Sequence, residues 1–430
     1  MAARALRSNR EFNVFWAVQA LSELGNAFSL VALPLLVLHV TGSAAQMGLL
    51  TGVAGVGTIL TGLVGGTFAD RFDRRRLLMV CDLARLVLYG AIPACWVFGP
   101  QVWLLYVVMA LASVFEMLFK ITYVTVVANL VDADQITEAN SRLEGTNALA
   151  YIAGPALAGV VAGLLGPTAA IAINAGSFGV SLLGLAAIRL RPATGPVATG
   201  PAAGGAIGRR ALAADFRAGF GFLWRSPVLR SLTVLLTVAT FCTLGMTDVL
   251  IYQVRHGLAA GERTVGYVLA LSGLGTCVAA VATARLRRRW GFGPCWLASY
   301  GLCSGAVLLL ALTGRVALAA TAGFLYSFGM ALAGICSMSL RQEVTPDALL
   351  GRVTSAFWTV HSSLAPIGAF VLTALVGRFG ARRPLLGVAA VFLVLVCAAL
   401  FTPIRQRTPE RTFAPSAPIP EADPAAGPRG

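Results

Sequence analysis

Twelve long apolar runs, each able to cross a bilayer, constrain this 430-residue chain more than any other feature. They fall at residues 12–38, 45–69, 77–98, 102–131, 143–165, 168–189, 228–254, 264–284, 294–313, 316–340, 353–377 and 384–403. A helix needs ~20 apolar residues to span the hydrocarbon core. In lipid, only helices and closed barrels satisfy every backbone group. The runs are continuous and do not alternate as barrel strands do. Composition agrees: 57% of residues are hydrophobic and 12% charged, against roughly half and a quarter in a soluble domain. The expected fold is an all-α membrane protein with twelve transmembrane helices.

The formal charge of +15 comes almost entirely from arginine. With the N-terminus inside, 25 arginines flank the spans on the cytoplasmic side. Six lie opposite: Arg255, Arg263, Arg315, Arg378, Arg382 and Arg383. The positive-inside rule therefore puts both termini in the cytoplasm, and the expected location is the inner (plasma) membrane. It also accounts for the basic balance without nucleic acid. Arg4, Arg7 and Arg10 precede the first run as in a signal peptide, but the run has no clear small-residue cleavage site and continues too far.

The one lysine, Lys120, follows Phe119, so no Walker-type Gly-Lys pair exists. Eight cysteines are scattered without CxxC pairs and read as small apolar packers. His39, His256 and His361 are far apart. No metal, no cofactor and no catalytic constellation is expected, so the chain does not read as an enzyme.

The chain divides into residues 1–189, a linker at 190–226, residues 227–404 and a tail at 405–430. "RPATGPVATGPAAGGAIGRR" reads as a flexible linker, and the Pro-rich tail as disordered. Leu212, Phe216, Phe220 and Leu223 recur at helical spacing, predicting a short helix on the membrane surface. The halves repeat each other. Gly154-Pro155 in the fifth run matches Ala365-Pro366 in the eleventh; Leu24-Gly25 in the first matches Leu244-Gly245 in the seventh. A six-plus-six repeat places a binding cavity between two six-helix bundles near the midplane.

Between the second and third runs, Gly66, Asp70, Arg71, Arg74, Arg75 and Arg76 form a Gly-x-x-x-Asp-Arg-x-x-Arg-Arg-Arg loop. This resembles the signature of the major facilitator superfamily, with Asp73 where that family usually has glycine. "AYIAGPALAG" (150–159) resembles the fifth-helix signature of its antiporters: Gly154, Pro155 and Gly159 match, while Ala150 and Ala158 replace glycines. "VDADQITEANS", "CDLARLVL" and "DFRAGFGFLWRSPVLRSL" resemble the subfamily holding enterobactin exporters and macrolide efflux proteins. The resemblance covers about residues 10–404. It implies a gate in which Asp70 faces the N-terminus of the eleventh helix near Arg352 to Ser355, and Arg74 pairs with Asp132 or Asp134. Arg75 and Arg76 either join that gate or simply fix topology.

Charges inside spans cost ~2.5–3.5 kcal/mol on insertion scales and need a reason. Asp82 and Arg85, three apart, match the subfamily's Asp-x-x-Arg and read as a structural pair. Glu116 and Lys120, four apart, share a helix face. That pair is either structural or broken by substrate to free Glu116. Asp248 has no partner within a turn; with Glu116, and then Glu23, it is the candidate proton carrier. Asn26, Asn147, Asn174 and His361 are candidates to line the cavity, with helix–helix hydrogen bonding as their alternative role.

Three functions fit. The preferred one is a monomeric exporter of a small amphipathic drug, antibiotic or siderophore, coupled to protons. The others are a nutrient importer or uniporter on the same fold, and a non-transporting receptor or assembly partner. The topology has its own test. A cysteine at Phe72 is expected to react with an impermeant thiol reagent from the cytoplasmic side alone, and one at Thr313 from the outside alone. The opposite pattern contradicts the orientation.

Overall fold

A computed structural model describes residue 6 and residues 9–131, 135–188 and 209–409. Side chains of 63–71, 209–215 and scattered positions at 124–148 and 347–351 lie outside that description. Six helices form the first bundle: α1 (Arg10–Thr41), α2 (Ala44–Arg71), α3 (Arg74–Trp96), α4 (Val102–Leu130), α5 (Ile136–Leu165) and α6 (Pro167–Ala187). After α7 (Arg209–Arg225), the second bundle contains α8 (Pro227–Thr243), α9 (Met246–Tyr252), α10 (Glu262–Trp290), α11 (Phe292–Leu312), α12 (Val316–Val344), α13 (Asp347–Ser362), α14 (Ala365–Phe379) and α15 (Arg382–Leu400). Among the described residues, 12 helical stretches are long and apolar enough to cross a membrane, with α8–α9 the seventh and α13–α14 the eleventh.

Two runs expected as single helices are broken. The eleventh stops at Ser362 and restarts at Ala365, with Pro366 in the first turn of α14. Proline has no N–H to give, and its ring clashes with the carbonyl four residues back. The seventh breaks at Leu244–Gly245. By contrast, α5 passes through Pro155 unbroken. Similar sequence marks in the two halves thus do different mechanical work.

Caps define one face, here called terminal because Arg10 and Leu400 both lie there. The Asn9 side chain accepts from Phe12 N (3.1 Å) and donates to Leu130 O (2.8 Å), tying the start of α1 to the end of α4. Asp73 accepts from Arg76 N (2.8 Å) and caps α3, which gives the aspartate that replaces the usual glycine a local role. Arg75 Nε donates to Leu185 O (2.8 Å) and its Nη2 to Ala186 O, satisfying the last carbonyls of α6. On the same face Gly219 of α7 packs on the Arg352 carbonyl of α13, and Leu223 is buried. The rings of Phe216, Phe220 and Trp224 stack along α7, 6.1 and 5.3 Å apart.

The bundles meet through α5 with α10, α2 with α14, and α1 and α2 with α9. The first two pairs are equivalent under the six-plus-six repeat. Their contacts lie toward the distal face, opposite the termini. Gly159 and Gly266 let the α5 and α10 backbones touch: a Cβ on Gly266 would stand 2.8 Å from Gly159 Cα. In lipid, such close packing replaces the hydrophobic force that joins helices in water. His39 at the end of α1 adds a polar tie, with Nε2 3.0 Å from Glu262 Oε1 and 3.0 Å from Arg255 Nη2. On the terminal side α13 packs on α7, α8 and α14. Among the described residues, the close contacts between the bundles lie on the distal half. Gly266→Val is therefore expected to wedge the distal face open, so that a cysteine at Thr41 reacts severalfold faster with an impermeant thiol reagent. An unchanged rate contradicts the closure at this contact.

Candidate functional site

A cavity of about 520 Å³ lies between the bundles. From the first bundle α1 contributes Glu23 and Asn26, α2 Thr51, α4 Glu116 and Lys120, and α5 Asn147, Tyr151 and Pro155. The break between α8 and α9 contributes Leu244, Thr247 and Asp248. Much of the remaining wall is apolar, including Leu30, Leu33, Leu50 and Met109. Three carboxylates and one lysine thus face a mostly greasy chamber.

Each charge sits differently. Asp248 is 4% exposed and accepts a 2.6 Å hydrogen bond from Thr51 Oγ1, which joins α9 to α2 across the bundle interface. Lys120 Nζ lies 2.5 Å from Glu116 Oε1, yet their side chains are 60% and 40% exposed. A pair this open is worth ~0–1 kcal/mol, so a charged ligand can compete for either partner. Asn26 Nδ2 donates to Glu23 Oε2 at 3.4 Å.

The Asp82–Arg85 pair lies apart from the cavity, inside the first bundle. Arg85 Nη2 is 2.5 Å from Asp82 Oδ1, and both side chains are sealed from solvent. The guanidinium sits between the rings of Phe119 and Phe178, 4.5 and 4.3 Å from their centroids. The α5 signature divides its work: Gly154 packs against Ala27 of α1, Gly159 against Gly266 of α10, and Pro155 lines the cavity.

Several sequence candidates lie elsewhere. Asn174 Nδ2 donates to Ser29 Oγ at 2.6 Å and is fully buried between α6 and α1, so it does not line the cavity but stands behind Ser29, which does. The His361 ring stacks on Phe357 (5.0 Å), and its nitrogens lie 3.1–3.2 Å from Thr240 Oγ1, inside the second bundle. It is not among the residues lining the cavity between the bundles and takes the alternative expected of it, contact between helices. Arg341, counted with the arginines of the terminal side, is only 3% exposed, and its guanidinium lies 3.5 Å from the Phe357 centroid. The side chains of Gly66, Asp70 and Arg71 and the residues Asp132 and Asp134 lie outside the described residues. Arg74 follows the cap of α3. Helix α13 begins at Asp347, so Arg352 to Ser355 stand beyond its first turn. The helix dipole fades over that distance.

Sequence reasoning missed Thr51, whose role depends on α2 reaching α9, and the His39–Glu262–Arg255 cluster, whose members are distant in the chain. Neither carries a spacing signal.

Two repeated helical bundles around a membrane-embedded cavity define a secondary transporter. The chain belongs to the major facilitator superfamily, whose family profile matches residues 15–369. It is a transporter, not an enzyme. It is 27% identical over 390 residues to the multidrug efflux pump Tap of Mycolicibacterium fortuitum, covering 88% of this chain and 92% of that one. It is 24% identical over 392 residues to the enterobactin exporter EntS of Escherichia coli O1:K1 / APEC, covering 87% and 86%. The solved nucleoside transporter NupG shares the fold with a TM-score of 0.74 at 13% identity, over 91% of this chain and 98% of that one.

The sealed pair yields a stability prediction. Asp82→Ala leaves Arg85 charged and unpaired, and is expected to cost about 3–5 kcal/mol. Thermal unfolding in detergent reads this as a large drop in midpoint, and replacing both residues together recovers part of it. An unshifted midpoint in Asp82→Ala contradicts a structural role.

Proposed function

We propose that the protein exports small amphipathic organic compounds, cations preferentially, in exchange for protons by alternating access. It works as a monomer in the inner (plasma) membrane with the terminal face cytoplasmic. The observation that carries this is Asp248, a buried carboxylate at the bundle junction that faces the cavity. Among the described residues its hydrogen-bond partner is Thr51, and no cation is paired with it.

The physics of closure links proton to substrate. Closing the cavity over an ionised, unpaired carboxylate strands a charge away from water, at ~2.5–3.5 kcal/mol on insertion scales. Either a proton or a bound cation removes that cost. A cation entering from the cytoplasm displaces the proton from Asp248, and the loaded chamber closes and reopens distally. A proton from outside then displaces the cation, and the protonated carrier returns. Glu116 acts second, when the substrate takes its place on Lys120 or takes Lys120's place on it. Glu23, one helix away, adds to the negative field that draws cations in. The apolar walls hold the lipophilic part of the compound. The names of the relatives, a multidrug efflux pump and an enterobactin exporter, support export over import.

Proteoliposomes with an imposed pH gradient test this, using tetraphenylphosphonium as the lipophilic cation. The wild type is expected to drive the cation against its gradient. Asp248→Asn with Glu116→Gln is expected to abolish uphill movement while downhill exchange persists. Uphill transport by the double variant, or none by the wild type, overturns the proposal.

A further inference from the structure

A second cavity, about 460 Å³, opens on the side of the second bundle where α14 and α15 splay over α8. Phe241 and Cys242, in the last turn of α8, form its floor; Phe379 and Gly387 stand on its walls, and Val391 marks its inner end. Arg383 is at its distal mouth. Phe379 is 45% exposed, so the groove faces outward and not into the transport cavity.

Three of the six arginines on the distal side gather at this mouth: Arg378, Arg382 and Arg383, on and around the turn at Gly380. All three are exposed. None takes part in the ion pairs found among the described residues. They run against the charge bias of the whole chain, and neither fold nor transport accounts for them.

Groove and arginines together fit one kind of molecule. From Arg383 to Val391 the helix rises about 12 Å, most of the ~15 Å depth of one leaflet. The arginines lie where that leaflet's headgroups begin, and the apolar trough runs inward from them. We propose that this groove binds an anionic phospholipid of the distal leaflet, with its phosphate on Arg382 and Arg383 and one acyl chain along α14 and α15. Basic residues at a membrane surface attract anionic headgroups. The apolar trough holds the chain whatever the headgroup, so the two parts of the site separate in experiment. The bound chain touches Phe241 and Cys242, immediately before the break that presents Asp248 to the transport cavity.

The full-length protein, purified in mild detergent and stripped of lipid, is titrated with phosphatidylglycerol or with phosphatidylcholine of the same chains. Native mass spectrometry counts the lipids retained, and thermal unfolding reads the stabilisation that binding confers. The wild type is expected to retain one phosphatidylglycerol with roughly tenfold or greater preference over phosphatidylcholine. Arg382→Gln with Arg383→Gln is expected to lose the preference. A Cβ on Gly387 meets no atom within 4 Å, so Gly387→Leu should fold, fill the trough and lose retention of both lipids. The lipid-free midpoints of the variants report that they fold; phosphatidylglycerol should raise the wild-type midpoint more than phosphatidylcholine does, raise that of the arginine variant no more than phosphatidylcholine does, and leave that of Gly387→Leu unshifted. Equal retention of both headgroups by the wild type, or unaltered phosphatidylglycerol retention in either variant, overturns the site and leaves non-specific annular lipid only.

Discussion

The close approach of α5 to α10, and of α2 to α14, is the contact on which the rest of this structure depends. Lipid offers two bundles no hydrophobic reason to associate, because the tails are as apolar as leucine. What remains is backbone laid against backbone, and that requires residues without bulk. Gly159 and Gly266 provide it on one side. On the other, a Cβ on Gly52 would stand 3.1 Å from the Pro366 carbonyl oxygen. Both contacts sit on the distal half, and a chamber lies between the bundles beside them. The break at Leu244–Gly245 then turns Asp248 into that chamber.

The charged groups divide by environment. Asp82 and Arg85 are sealed with each other and with two aromatic rings, an arrangement that holds α3 to α4 and α6 and gains nothing from opening. Glu116 and Lys120 form the same kind of pair in the open, where water and ligands compete for it. Asp248 has a hydroxyl partner reaching over from the other bundle, so its surroundings change whenever the bundles move. His39, Glu262 and Arg255 also bridge the bundles, but at the distal rim. Identical residue types thus stand as a sealed pair, an open pair and a cross-bundle hydrogen bond according to what surrounds them.

Most of the architecture was legible in the sequence because bilayer thickness sets the length of every span and arginine counts set the expected orientation. The family signature was legible too, and the structure adds reasons for parts of it, such as Asp73 capping α3 and Arg75 closing α6. The intramembrane charges were visible as violations of apolar composition. Their partners were not. Helical spacing relates Glu116 to Lys120, but nothing local relates Asp248 to Thr51, 197 positions away. Asn174 and His361 show the same limit from the other side. A polar residue in a span faces either a cavity or a neighbouring helix, and periodicity does not say which. Proline was equally ambiguous: Pro366 starts a new helix where Pro155 is absorbed within one.

The central claim is that protonation of Asp248 biases two bundles that pivot about a shared chamber. Pulsed electron-spin distances test it most directly. One label pair at Ser43 and Gly380 spans the distal rim, and a second at Phe72 and Trp290 spans the terminal rim. Replacing Asp248 with asparagine, as a mimic of its protonated form, should lengthen one distance and shorten the other. If both distances stay the same, or change in the same sense, the two rims are not coupled through this carboxylate and the account fails.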